Sequence, residues 1–182
     1  GQSGRRGGVG QSSGGGFRCV RYAGGCVVVC KAECPAEGAL KLVTVTLAVL
    51  GLSLSAEKTR ITTYSQGYAF LGFNLSGRSR VMREKSTRKF KEKVRELTCR
   101  SHNLDQEAVE KLNRVIQGTA NYFATRWSTE RTRFRDLDSW IRRRLRCMKY
   151  KRYSYHHNRK MRLKQFDQLG LVKLESFCWT RE

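Results

Sequence analysis

The densest chemistry in this 182-residue chain lies between residues 131 and 164, where fourteen Lys and Arg face only two acids, Asp136 and Asp138. Guanidinium and ammonium groups in such a run neutralise phosphates. The aromatic residues set among them, Tyr150, Tyr153 and Tyr155, offer faces on which unpaired bases stack at about 1–3 kcal/mol each. Arg135, Arg142, Arg143, Arg146, Lys149, Lys151 and Arg152 are the candidate phosphate contacts, and the three tyrosines the candidate stacking groups. Phe134 and Trp140 lie on or beside an apolar stripe and are read as core. The competing reading is a solvated helix face followed by a basic tail. With so few acids nearby, the self-repulsion is uncompensated, which favours a polyanionic partner. A basic helix lying on a membrane is disfavoured because a helical bundle needs the same apolar stripe.

Metal and nucleophile chemistry is thinner. Seven cysteines are an odd number in a chain able to build its own core, and they read as reduced thiols in an intracellular compartment, bacterial cytoplasm or organelle. Cys19, Cys26, Cys30 and Cys34 cluster without a CxxC pair, so small apolar residues on and beside a strand are a better account of them than zinc. His102, His156 and His157 fall in no ligand pattern, and Glu33 and Glu37 are poor metal candidates. No cofactor is expected. A net charge of +22 and a pI near 10.3 exceed what a small acidic substrate would require, and point to an extended polyanion, nucleic acid or an acidic membrane surface. Hydrophobic content of 39% excludes a wholly disordered chain. The longest apolar stretch, Leu42–Leu54, is too short to cross a bilayer, which takes roughly 20 apolar residues.

These residues need elements to position them. Residues 1–16 hold eight of the seventeen glycines and are expected to form a flexible tail. Val20-Arg21-Tyr22, Ala23-Gly24-Gly25 and Cys26–Cys30 read as strand, tight turn and strand. Ala36, Ala39, Leu40, Val43, Leu47 and Leu50 recur at helical spacing, with Gly51 placed to end that helix. Short strands are expected at Leu52–Leu54 and Arg60–Thr63, and a strand or hairpin over Gly67–Leu75. Beyond that the chain turns helical. Phe90, Val94 and Leu97 form one stripe; Asn103 with Gln106 resembles a capping box ahead of Val109, Leu112, Ile116, Ala120 and Phe123; a third helix carries Phe134, Leu137, Ile141, Leu145 and Met148 inward. The apolar residues of 165–182, among them Leu171, Leu174 and Trp179, are expected to dock on the body. The fold class is therefore α+β: a β-hairpin, a helix and short strands, then a helical bundle.

Several of these segments, in order, resemble a known family. Phe17–Val28, centred on Tyr22-Ala23-Gly24-Gly25, resembles the palm hairpin of reverse transcriptases. Leu50–Arg60 is similar to the strand and turn following the palm helix, with Lys58 where the family has a lysine near the departing pyrophosphate. Tyr68-Ala69-Phe70-Leu71-Gly72-Phe73 is similar to the segment that supports the primer end. Leu112-Asn113, Gly118, Asn121-Tyr122-Phe123 and the run from Phe134 to Leu145 resemble the maturase-specific domain X. At Thr119 the family usually has tryptophan. Together these identify a resemblance to the C-terminal part of group II intron-encoded reverse transcriptase/maturases. It implies a tail at 1–16, the end of a palm at 17–80, a thumb/domain X bundle at 81–152 and a basic extension at 153–182.

The resemblance also implies a function. Structured RNA, above all group II intron RNA, is the expected partner, with DNA a secondary one and no membrane or small-molecule substrate. Binding would support intron folding and splicing. Phe70, Leu71 and Gly72 would occupy the primer-end support. Gly24 and Gly25 stand where the family has paired aspartates holding two divalent metals, and glycine has no side-chain oxygen to replace them. The fingers and the remaining metal-binding aspartate would lie upstream of residue 1. The chain is therefore expected to be catalytically inactive, Mg belonging only to an intact homologue. The alternatives are a polymerase fragment completed by a partner chain, and a remnant without function.

Overall fold

The computed structural model describes residues 10–14, 17–22 and 25–178, and these divide into two compact units, residues 1–63 and 64–182. The first is built on an antiparallel sheet of β1 (Gly10–Gly14), β2 (Phe17–Tyr22) and β3 (Gly25–Cys30), in that order. The hairpin expected around Gly-Gly is present, with Tyr22 opposite Gly25 and Cys19 opposite Val28. Ala23 and Gly24, at its tip, lie outside the described residues. Residues 10–14, expected as part of a flexible tail, instead pair along β2 from Gly10–Arg21 to Gly14–Phe17. A ladder is made by backbone N–H and C=O groups, so a Gly/Ser/Gln stretch without apolar side chains can still join it. Residues 1–9 of that tail are not among those described.

Helix α1 (Glu33–Val49) follows β3 and packs on it. Pro35 is tolerated in its first turn, where N–H groups have no intrahelical acceptor. Within its β-branched run, Thr44 and Thr46 donate their hydroxyls to the Leu40 and Leu42 carbonyls, 2.8 Å in each case. Gly51, at φ +68°, carries the chain past the helix end as its position predicted. Ala39 is buried and Ala36, Leu40, Val43 and Leu47 are partly so, but Leu50 is exposed. Leu42, Val45 and Val49 also face solvent, Val49 at 82% exposure. Leu52–Leu54 and Arg60–Thr63 do not form the expected strands. A strand exists only by pairing, and three β-favouring residues without a neighbouring ladder stay irregular.

The second unit begins with another antiparallel sheet, β4 (Tyr68–Phe70), β5 (Phe73–Leu75) and β6 (Arg80–Met82). Phe70 pairs with Phe73, so Leu71 and Gly72 form a two-residue turn, both at positive φ (48° and 79°). Glycine suits position 72, chiefly through its backbone angle. A Cβ there would meet Ser86 Oγ at 3.2 Å and the Phe123 ring at 3.4 Å, and an L side chain rarely adopts that φ. The sheet belongs with the helices that follow it, and the two compact units divide between Thr63 and Tyr64.

Three long helices come next: α2 (Glu84–Leu97), α3 (Gln106–Phe123) and α4 (Arg131–Tyr150). The predicted stripes are the core: Phe90 and Val94 from α2; Val109, Leu112, Ile116, Ala120 and Phe123 from α3; Phe134, Leu137, Ile141, Leu145 and Met148 from α4. The cap of α3 is Asp105, accepting from the Ala108 N–H at 2.8 Å, and not the expected Asn103. The helix starts one residue after Asp105, which puts Ala108 at the third helical position, where a cap side chain reaches.

After Arg152 the chain forms α5 (His157–Lys160), α6 (Leu163–Gln168) and a 3-10 helix (Leu174–Phe177). Residues 153–178 are more than an extension, because Met161, Phe166, Leu171 and Leu174 complete the same core. Two polar clamps hold them. Asn113 donates to the Gly170 carbonyl at 2.7 Å and accepts from the Val172 N–H at 2.9 Å. Asp138 accepts from the N–H groups of Leu174 and Glu175, at 2.8 and 3.0 Å, at the start of the 3-10 helix. Burial still pushes the Asp138 carboxyl above its ordinary range, the two backbone donors and Arg142 pulling the other way. Trp179, expected to dock as well, lies outside the described residues.

Candidate nucleic-acid interface

The periodicity that buries one side of α4 projects its cations on the other and along both flanks. Seven arginines lie between 131 and 146, and their hydrogen bonds sort them. Arg133 donates to the Met82 carbonyl and lies 3.5 Å from Thr87 Oγ1. Arg144 donates to the Thr98 carbonyl at 2.8 Å and its hydroxyl at 3.2 Å, satisfying the C-terminal end of α2. Arg131 pairs with Glu175 at 3.2 Å. Arg146 donates through Nε to the Met161 carbonyl at 3.1 Å and lies over the Phe166 ring. These four hold the unit together.

Arg135, Arg142 and Arg143 are different. Arg135 and Arg143 are exposed and Arg142 half-buried, and none makes a hydrogen bond or ion pair among the described residues. Side chains at 135, 142 and 149 recur every seven residues, so Lys149 extends the same exposed stripe by two turns. At Arg146 the proton affinity is lowered first by desolvation and then by the charges of Arg142 and Arg143. An anion on this face would relieve that repulsion.

The other candidates are placed as follows. Lys151 ends α4 in a left-handed conformation and reaches back to the His102 carbonyl and to Asn103 Oδ1, which occupies its ammonium. Arg152 is exposed. Tyr150 stacks on the buried ring of His157, centroids 4.2 Å apart, so its face is engaged inside the protein. Tyr153 and Tyr155 form an edge-to-face pair at 5.4 Å, with Tyr155 76% exposed. Side-chain hydrogen bonding with Tyr155 heads the causes that raise the Tyr153 phenol above its ordinary range. Phe134 is fully buried, while Trp140 is half-buried with Lys91 and Arg95 of α2 over its ring at 5.9 and 5.7 Å. The basic face therefore continues from α4 onto α2.

One aromatic escaped the sequence reading. Trp127, between α3 and α4, is 65% exposed with the Arg126 guanidinium 5.7 Å from its ring centroid. The missed signal is a tryptophan beside an arginine in a polar interhelical segment, outside any apolar period.

The Phe70-Leu71-Gly72 turn is held rather than free. Ser86 Oγ donates to the Gly72 carbonyl at 3.2 Å, the Arg83 N–H to the same oxygen at 2.7 Å, and the Tyr122 hydroxyl to the Leu71 carbonyl at 3.0 Å. The hairpin tip is thereby fixed to α2 and α3. In the first unit, Gly25 is exposed, and a Cβ there would meet only the Tyr22 carbonyl, at 3.8 Å. Among the described residues, no three His, Cys, Asp or Glu side chains converge to hold a metal, and no helix is long and apolar enough to cross a membrane.

Residues 87–166, from the first turn of α2 to the middle of α6, match the family model of the group II intron maturase-specific domain. The match contains the whole of α4 with its unpartnered arginines and the Tyr153–Tyr155 pair. No curated protein matches the chain.

Proposed function

We propose that this chain binds group II intron RNA through the exposed basic face of α4, and that binding supports the folded, splicing-competent RNA. The observation that carries the reading is the set Arg135, Arg142 and Arg143: cations without a hydrogen bond or ion pair among the described residues, on a helix inside the segment matching a maturase-specific domain. Charge alone would serve any polyanion, but charge on a helix of this family narrows the ligand to its RNA. In this reading the RNA performs the transesterifications, and the protein works inside the cell as an RNA-binding partner, with DNA the weaker ligand.

The test is competition for the full chain between group II intron RNA, tRNA and random-sequence RNA near physiological salt. A preference of tenfold or more for the intron, about 1.4 kcal/mol, is expected. Equal and steeply salt-dependent binding to all three would leave only the +22 charge as the source of affinity and refute the reading.

The second reading, a polymerase completed by another chain, is disfavoured by glycine at 24 and 25, which offers no carboxylate to a hard divalent cation. The purified chain is expected to show no templated synthesis with Mg or Mn. Primer extension, free of contaminating enzyme, would reverse that. The third reading, a remnant without function, is disfavoured by the continuous core of the helical unit.

A further inference from the structure

The C-terminal half of α4 and the segment after it enclose a recess of about 110 Å³, lined by Ser139, Arg143, Arg146, Ser154, His157 and Asn158, among others. That is room for several waters, and so for a tetrahedral oxyanion. None of the nine lining residues is acidic, and two are arginines. Arg146 uses Nε on the Met161 carbonyl, and its terminal nitrogens donate to no acceptor among the described residues. His157 is 3% exposed, and its buried Nδ1 has no hydrogen-bond partner among the described residues. Buried polar atoms are rarely left so, and His157 is one of the residues that line this recess.

We propose that this recess is a phosphate-binding site that takes one phosphodiester of the bound RNA, with Arg143, Arg146 and His157 around its oxygens and the Tyr153–Tyr155 pair beside an adjoining base. The inference rests on the RNA-binding reading for its ligand, while the phosphate chemistry stands on the recess itself. Guanidinium groups bind phosphate oxygens in pairs, and small hydroxyl and amide side chains such as Ser154 and Asn158 can meet the remaining lone pairs. Tyr153 and Tyr155 also line the recess, so a phosphate seated there puts its neighbouring nucleotide against an exposed ring. The crowding of Arg146 by Arg142 and Arg143 agrees with a seat for an anion.

The test has two arms, both on the full chain. In the first, inorganic phosphate is titrated at constant ionic strength while the imidazole nitrogens of His157, His156 and His102 are followed by NMR. A saturable response at His157, absent at His102 and lost in Arg143→Gln, is expected; Asn158→Ala, on the other wall, should weaken it. Parallel drift of all three histidines, or no response, would overturn the site. In the second, RNA should displace the phosphate from His157. Arg143→Gln should also lower the slope of log K against log salt by about 0.7–0.9, the signature of one lost phosphate contact. Saturable phosphate binding that RNA does not displace would overturn the assignment to an RNA phosphodiester. Displacement by every RNA alike would leave the recess standing and count instead against intron selectivity. Because Arg143 is exposed and unpartnered, helical content is expected to be unchanged in its variant.

Discussion

Replacing Arg135, Arg142 and Arg143 together with glutamine is expected to weaken binding to intron RNA by at least tenfold, about 1.4 kcal/mol or more. The slope of log K against log salt should fall by about 2 to 3, since each lost phosphate contact removes about 0.7–0.9. The fold should survive, because none of the three makes a hydrogen bond or ion pair among the described residues. Replacing Arg133 and Arg144 gives the opposite pattern. Those guanidiniums satisfy the carbonyls of Met82 and Thr98, and leaving a buried acceptor unpaired costs about 1–3 kcal/mol of stability. Filter binding across a salt series, paired with thermal denaturation, separates the two sets. An unchanged salt slope in the triple variant would show that the RNA lies elsewhere.

The largest stability effect should come from Glu130. Its carboxyl is buried at the start of α4, where Oε1 accepts from the Met82 N–H and Oε2 has no partner. Burial pushes its pKa up from 4.5 to about 7, against the attraction of Arg133. The unfolded chain releases this proton near 4.5 and the folded chain near 7, so the folded state binds more protons in between. The stabilisation is full below about 4.5 and is lost as pH rises through 7, an effect of roughly 3 kcal/mol at most. Glu130→Gln should flatten that dependence and be more stable than the natural chain at pH 8. Asp138, also raised by burial, contributes a trend of the same sign in both proteins and cancels in the comparison. Urea midpoints from pH 5 to 8 decide it: parallel curves for the two proteins would refute the role given to Glu130.

What could be read from sequence, and what could not, follows from the range of the interactions. The core stripes of α2, α3 and α4 came out as expected because a 3.6-residue period buried on one side is written locally. So was the hairpin at Tyr22–Gly25, from two β-rich runs around glycines. The expected strands at Leu52–Leu54 and Arg60–Thr63 failed because pairing partners are not a local property. The cap of α3 was misplaced by two residues, as both Asn103 and Asp105 have cap chemistry and only the helix start distinguishes them. In the candidate interface, the sequence could list the arginines but not sort them. Arg143 and Arg144 are adjacent and chemically identical, and what separates them is the Thr98 carbonyl 46 residues away. The stacking of Tyr150 is hidden from the sequence for the same reason, since its partner His157 arrives only when the chain turns back on α4.

The division among the arginines also bears on which exchanges this helix can absorb over generations. At 135 and 142, lysine would keep the charge that a phosphate reads. At 144, a planar fork donates to both the carbonyl and the hydroxyl of Thr98, and an ammonium cannot span that pair in the same way. A run that looks uniform in the sequence therefore holds two rates of drift: cations exchanged freely on the side that meets RNA, and guanidiniums kept by the packing of α4 against α2.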